Sequence, residues 1–376
     1  MGEVSYVIPR DLLMSLLNIA YYVYPKSGIR QGHIDVFTPP WSEESLFTIV
    51  LKKNIVEVTI NVRSDQYERY ISMRYDALVR RKGHDPETTK KIFKTAIPSP
   101  GIIRDALCFS GIALPRNWDE LLRVLNEFCR REVHRGEEPG FIAFDTSVLR
   151  RGLVLHILDY VRRKRCKINY LLLKGVMSEL SDNFKDVKYS REELKVLSDN
   201  LLYGAKAEQI FTNQLILDSR LWLEALQDYL MLKNEPTSQE IESEKGDDAF
   251  ISAISNFRRE KLADVLLVTM DNVFGSKAVA KGIRTVVLDD YPIPELFDRT
   301  YETTWEKAAL LLYYLAIIYG TVTLHILGEH KMMRAYIYGI WRGKRKADWD
   351  TRSIKIETSD KLLIDKLNKL LKPLVI

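Results

Sequence analysis

The sequence is poor in the features that mark several large function classes. It has three cysteines, Cys108, Cys129 and Cys166, and none form a CxxC pair. That argues against a disulfide framework and a zinc knuckle, and favours a reducing compartment. No GxxxxGK[ST] and no GxGxxG occurs, which excludes P-loop and dinucleotide readings. No GxSxG elbow is present for a serine hydrolase. No basic n-region precedes the apolar stretch 4–24, and Pro9, Arg10 and Asp11 interrupt it, so it does not read as a secretory signal. Gln is scarce while Lys, Arg, Glu, Ile and Tyr are plentiful, as in many heat-adapted proteins.

What is present is globular. The chain has 376 residues, enough for two or three domains. Hydrophobic residues make up 46% and charged residues 28%, which rules out a disordered chain. The net charge of +5 is compatible with nucleic acid without pointing to it. One stretch, Ala308–Leu327, lacks any formal charge and is long enough to span a bilayer. Thr303-Thr-Trp-Glu306 reads as a capping box and Gly320 as a helix stop, so this run splits into a buried helix and a strand, with no membrane span. The expected compartment is the cytoplasm.

Three modules follow from the punctuation. Residues 1–135 read as an N-terminal α+β module: a helix over 10–24, a strand pair around Asn54, and helices at 67–81, 86–95 and 117–133. Val56, Val58, Ile60 and Val62 alternate with Glu57, Thr59, Asn61 and Arg63, the pattern of a half-buried strand. His33, His84 and His134 are scattered and form no site. Gly136-Glu-Glu-Pro-Gly140 reads as a boundary, and 294–376 as a C-terminal module of helices and strands.

Between them, strand alternates with helix over 141–290, the signature of an α/β fold with a doubly wound parallel sheet. Phe141-Ile-Ala-Phe is a buried strand ending on Asp145-Thr-Ser147. A helix is expected over 148–164 with His156 in its apolar face, closing on the basic run Arg162, Arg163, Lys164 and Arg165. By the helical rise its far end lies roughly 24 Å from Asp145. Ile168–Leu173 is a second strand, and Glu179 sits in the helix after it. A helical insert spans about 184–246, its last part, 234–246, a polar loop. Asp247 and Asp248 then open a helix. The strand that follows ends on Thr269-Met-Asp271, and Gly282–Leu288 is a further strand.

Asp145 after a strand, Glu179 in the helix after the next strand, Asp248-x-x-Ile251 opening a helix, and Leu267-Val-Thr269-x-Asp271 together resemble the PIN-domain nucleases. The separations are 34 (179−145), 69 (248−179) and 23 (271−248), and the tail Lys277-Ala-x-x-x-Gly282-Ile-x-x-Val286 also fits. The insert between Glu179 and Asp248 is longer than the family pattern. The resemblance implies a metal-dependent endonuclease, most simply an endoribonuclease, with Asp145, Glu179, Asp248 and Asp271 around Mg²⁺ or Mn²⁺. Four carboxylates at one sheet edge would repel by about 4 kcal/mol per pair at about 4 Å, so they call for a hard cation. Asp145 would be the central ligand; Asp248 and Asp271 would bind directly or through water, and Glu179 would ligate or orient water. Ser147 and Thr269 would support Asp145 with their hydroxyls, and Asp247 would be a cap or a substitute for Asp248.

Rival readings are a haloacid-dehalogenase phosphatase, which would want Asp where Ser147 stands, and a catalytically silent PIN-like scaffold that binds RNA or a protein partner. The expected partner is RNA, with single-stranded DNA as an alternative, and room is left for a protein inhibitor or a homo-oligomer. Two basic sites could grip a nucleic acid. One is Arg162–Arg165, which also reads as a solvated helix end. The other is the turn holding Arg342, Lys344, Arg345 and Lys346 between Trp341 and Trp349, which equally reads as a solvated hairpin. His325 and His330 have a poor metal spacing and take no role.

Overall fold

The computed structural model describes residues 4–23, 32–39, 44–80, 85–199, 206–212, 214–327, 332–339 and 352–371. In chain order its strands are β1 Val4–Pro9, β2 Gly32–Phe37, β3 Phe47–Leu51, β4 Val56–Ile60, β5 Gly140–Phe144, β6 Asn169–Leu173 and β7 Ser238–Ile241. They continue with β8 Asp264–Thr269, β9 Arg284–Val287, β10 Thr300–Thr303, β11 Thr321–Leu327, β12 Met332–Tyr338 and β13 Ser353–Thr358. The chain divides into two compact units: Met1–Ile112, Asp186–Asp218 and Pro292–Ile376 form one, and Ala113–Lys185 and Ser219–Tyr291 the other.

The first unit carries an eight-stranded sheet in the order β1-β13-β12-β11-β2-β3-β4-β10, every pair antiparallel. Period-two alternation builds it: Val56, Val58 and Ile60 are buried while Glu57 and Thr59 are half-exposed. This sheet redraws the module boundaries read from sequence. β1, β2 and β4 come from the first 135 residues, yet their partners β13, β11 and β10 lie beyond residue 299. Alternation tells a strand which face to bury; it does not name its neighbour.

The uncharged run resolves as expected into a helix, Trp305–Tyr319, and β11. Thr304 caps the helix by accepting from the Lys307 N–H, and Gly320 ends it at φ +78°. A side chain at Gly320 would also press on the Phe211 ring. No helix among the described residues is long and apolar enough to cross a membrane.

The second unit carries a parallel five-stranded sheet in the order β7-β6-β5-β8-β9. β5 and β8 are its central neighbours, fully apolar over Phe141–Phe144 and Val265–Val268, as parallel strands covered on both faces must be. The chain runs outward from β5 to β6 and β7, then returns to β8 on the other side of β5 and goes on to β9. The order therefore reverses between β5 and β8.

Three local expectations are corrected here. The polar segment after Lys233 holds an edge strand, β7, paired in parallel with β6. The single helix expected over 148–164 is two, Thr146–Arg150 and Val154–Arg163, parted at Gly152 with φ +64°. The 24 Å reach along one straight axis therefore does not hold. Finally, Cys129 and Cys166 form a disulfide, with Cα atoms 4.7 Å apart, while Cys108 is a buried thiol outside that pair. The pair joins the C-terminal end of the helix Trp118–Cys129 to the segment entering β6, a proximity that exists only once the sheet has formed.

Candidate active site at the β5–β8 edge

In open parallel sheets, ligands bind beyond the C-terminal strand ends where the strand order reverses. Here that place is beyond Phe144 and Thr269. Asp145 follows β5 and its N–H donates to the Val268 carbonyl at 3.1 Å, which pins the residue to the neighbouring strand. Its side chain is 8% exposed. The Ser147 and Thr269 hydroxyls both donate to Asp145 Oδ2, at 2.6 and 2.8 Å. Burial pushes the Asp145 carboxyl above the usual carboxylate range, while those two hydroxyls and the N–H groups of Thr146 and Ser147 oppose the rise.

The remaining acids sit close by, each held by its own partners. Thr269 Oγ1 also accepts from the Asp271 N–H at 2.9 Å. Asp271 is exposed and caps the helix Asn272–Ala280, its Oδ1 accepting from Val273 and Phe274 at 2.8 and 3.0 Å. Glu179, in the helix Lys174–Asn183, accepts from the Thr146 hydroxyl at 2.5 Å and from the Gly246 N–H at 3.1 Å. Asp247 and Asp248 open the helix Asp247–Lys261, and Lys277 lies 3.4 and 3.5 Å from them. The Asp247 hydrogen bond and the Asp248 charge hold the Lys277 ammonium above its ordinary range. Polar contacts thus link Asp271, Thr269, Asp145 and Ser147 on one side and Thr146, Glu179 and Gly246 on the other, with Lys277 beside Asp247 and Asp248.

Among the described residues no three His, Cys, Asp or Glu side chains come together as a metal site. The four-carboxylate cluster is not assembled, because Glu179 is turned onto Thr146 and Gly246, Asp271 onto its helix, and the Asp248 side chain is 88% exposed beside Lys277. The donors do fit a hard cation. All are oxygens, and Mg²⁺ commonly keeps several waters and takes one or two carboxylates. Asp145 is the buried carboxylate of the group, and its partners are hydroxyls and N–H groups rather than a cationic side chain.

The supporting residues named from sequence, Ser147 and Thr269, do touch Asp145. Thr146 was missed, although it stands in the same polar triplet that follows β5. Lys277 was noted only for its place in the tail pattern, and its contacts with Asp247 and Asp248 needed the fold. Arg162–Arg165 are exposed; Arg162 pairs with Glu235 and Arg163 with Asp159. Arg342, Lys344, Arg345 and Lys346 lie outside the described residues.

Comparison with known proteins agrees with the family read from sequence. Residues 142–289 match the family model for the PIN domain, so the resemblance to that family is borne out over that segment. A comparison with curated proteins finds no match. Among solved structures, one similar chain is a domain of a functionally unknown protein from Methanocaldococcus jannaschii DSM 2661. It is 16% identical, covers 40% of this chain and 93% of its own, and has a TM-score of 0.23.

Proposed function

We propose that the segment 142–289 is a metal-dependent endonuclease that hydrolyses phosphodiester bonds, with RNA as its substrate. The observation that carries this reading is Asp145: a buried carboxylate held by two hydroxyls at the β5–β8 edge of a PIN-type segment. A buried charge of this kind is costly unless it is paired, so it is kept where it has work to do. Part of the reading is that the sheet is doubly wound, with right-handed crossovers setting helices on both faces.

In this reading Asp145 holds Mg²⁺ or Mn²⁺, and Glu179, Asp248 and Asp271 reach it directly or through water. When bound, such an ion supplies Lewis-acid polarisation of the phosphate and offsets its charge. The chain's own groups do the positioning. Ser147 and Thr269 fix the Asp145 carboxylate through Oδ2, which leaves the direction of its other oxygen defined. Glu179 ties the turn after β5 to Gly246 and so sets where Asp247 and Asp248 stand. Lys277 neutralises part of that acidic pair.

A second reading has an observation in its favour. Glu179, Asp248 and Asp271 are dispersed onto other partners, as a silent scaffold that binds RNA or a protein would allow. One experiment separates the two. Labelled single-stranded RNA and DNA are incubated with the full chain in Mg²⁺, Mn²⁺ or EDTA, beside Asp145→Asn. Cleavage of RNA that needs the metal and is lost in the variant supports the nuclease. Binding with no cleavage in either metal would establish the scaffold.

A further inference from the structure

Beside Asp145 the second unit has a cleft of about 470 Å³ lined by Ser147, Arg150, Arg151, Asp271, Asn272 and Asp290. It shares Ser147 and Asp271 with the site above, yet its character differs, because two arginines enter it. They lie where the first helix after β5 ends, Arg150 as its last residue and Arg151 just beyond, ahead of the Gly152 turn. Both are preorganised. The Arg150 guanidinium lies over the Trp222 ring, 5.0 Å from its centroid. Arg151 pairs with Asp290 at 3.0 Å, each side chain about a fifth exposed. A guanidinium presents a planar N–H fork that matches phosphate oxygens, and packing on an aromatic face limits its freedom to move.

We propose that this cleft is a phosphate pocket, in which Arg150 and Arg151 hold a phosphate of a single RNA strand next to the one presented to Asp145. The inference rests on the nuclease reading for its substrate class. The acids in the cleft have partners of their own. Asp290 is committed to Arg151, and Asp271 Oδ1 accepts two backbone N–H groups. The run Arg162–Arg165 differs in its exposure: Arg162 and Arg163 pair with Glu235 and Asp159 on the open surface, whereas Arg151 is four-fifths buried. The phosphate could be internal to the strand or a terminal monophosphate, since both present the same oxygens to a guanidinium fork.

The test measures binding apart from cleavage. Full-length Asp145→Asn protein is titrated with a uridine 12-mer RNA carrying a 3′ fluorophore and either a 5′-hydroxyl or a 5′-phosphate. Adding Arg150→Gln and Arg151→Gln should weaken binding about tenfold or more, as loss of two charge-assisted contacts requires. The slope of log K against log salt should flatten by about 0.7, the value for one phosphate contact on a single strand. Weakening with both oligonucleotides identifies an internal phosphate; weakening confined to the 5′-phosphorylated one identifies a terminal phosphate; either supports the pocket. Arg150→Lys with Arg151→Lys keeps charge without the fork and should lose part of the affinity; it decides the question if the Gln variant has no cooperative melt. Unchanged affinity and slope on both oligonucleotides, in a folded variant, would overturn the pocket. Wild-type cleavage is scored in parallel. Cleavage with unchanged variant binding removes the pocket and leaves the nuclease. Binding lost without any wild-type cleavage leaves the pocket and removes the nuclease.

Discussion

One hydroxyl joins two acids: Thr269 Oγ1 donates to Asp145 Oδ2 at 2.8 Å and accepts from the Asp271 N–H at 2.9 Å. Thr269 closes β8, Asp145 follows β5, and Asp271 opens the next helix, so this contact sets the spacing of three element ends. Thr269→Val keeps the shape and removes both bonds. We expect it to cost about 1–3 kcal/mol in unfolding free energy, because a buried carboxylate oxygen loses a donor. If the nuclease reading holds, cleavage should fall at least tenfold as well. Urea melts beside single-turnover cleavage check both; a variant as stable and active as wild type would show that the bridge has no role.

Asp145→Asn should behave unlike most core substitutions. Burial raises the folded carboxyl's pKa, so at neutral pH the charge costs folding free energy that an amide does not. Asn can still accept both hydroxyls. In EDTA the variant should be as stable as wild type or up to about 2 kcal/mol more stable. At a hundredfold excess of Mn²⁺ over its Kd, wild type should gain about 2.7 kcal/mol and the variant far less. Equal gains in scanning calorimetry would place the ion away from Asp145.

Glu179→Gln tests the link to Gly246. The carboxylate accepts from Thr146 and from the Gly246 N–H on separate oxygens, and an amide can accept on only one. The turn before Asp247 should loosen, with faster amide exchange over 244–248 and little change in β5. Unaltered exchange there would show that Glu179 does not hold the turn.

Acid sensitivity should appear in the other unit. Asp35 on β2 lies 3.1 Å from His33 Nε2 and accepts from the Thr48 hydroxyl at 2.9 Å. Burial pushes its carboxyl up, but the bonds from His33 and Thr48, with the charges of His33 and His325, outweigh it and hold the carboxyl below its ordinary 3.8. A lowered folded value means that Asp35 stabilises above pH 3.8 and that this is lost as pH falls through the folded value. Asp35→Asn should cost about 1–2 kcal/mol at pH 7 and progressively less below pH 3.8. Parallel melting curves at every pH would remove the effect.

The disulfide gives a thermal prediction. Cys129 and Cys166 are 37 residues apart in sequence, and closing a loop of that size stabilises by about 3–4 kcal/mol in the chain-entropy view. Replacing both with Ser should lower Tm by on the order of 10 °C. A reductant should do the same to wild type and nothing to the double variant.

Much of the second unit could be read directly. Phe141–Phe144 and Val265–Val268 are uninterrupted apolar runs, and such runs name buried parallel strands. Hydroxyls two residues after Asp145 and two before Asp271 pointed to its support. β7 was hidden because Ser-Gln-Glu-Ile is short, polar and half-exposed at a sheet edge, so it carries no strand signal. The Cys129–Cys166 pair was hidden because nothing in the spacing brings a helix end to the entry of β6. Order along the chain placed Asp145, Asp248 and Asp271 at element ends and Glu179 within a helix, but it could not reveal that Glu179 and Asp271 turn to backbone N–H groups.

The eight-stranded sheet has a consequence for the newly made chain. β1 leaves the ribosome early, yet its partner β13 follows only after Arg352 has been added, a wait on the order of tens of seconds at about 5–20 residues per second. Val4 and Val7 on β1 are among the exposed apolar side chains even in the finished fold. The parallel sheet, by contrast, has all five strands once Val287 is in place. The second unit can therefore mature while the first still waits with open strand edges, so nascent-chain chaperones would have most to guard in the unit that does not carry Asp145.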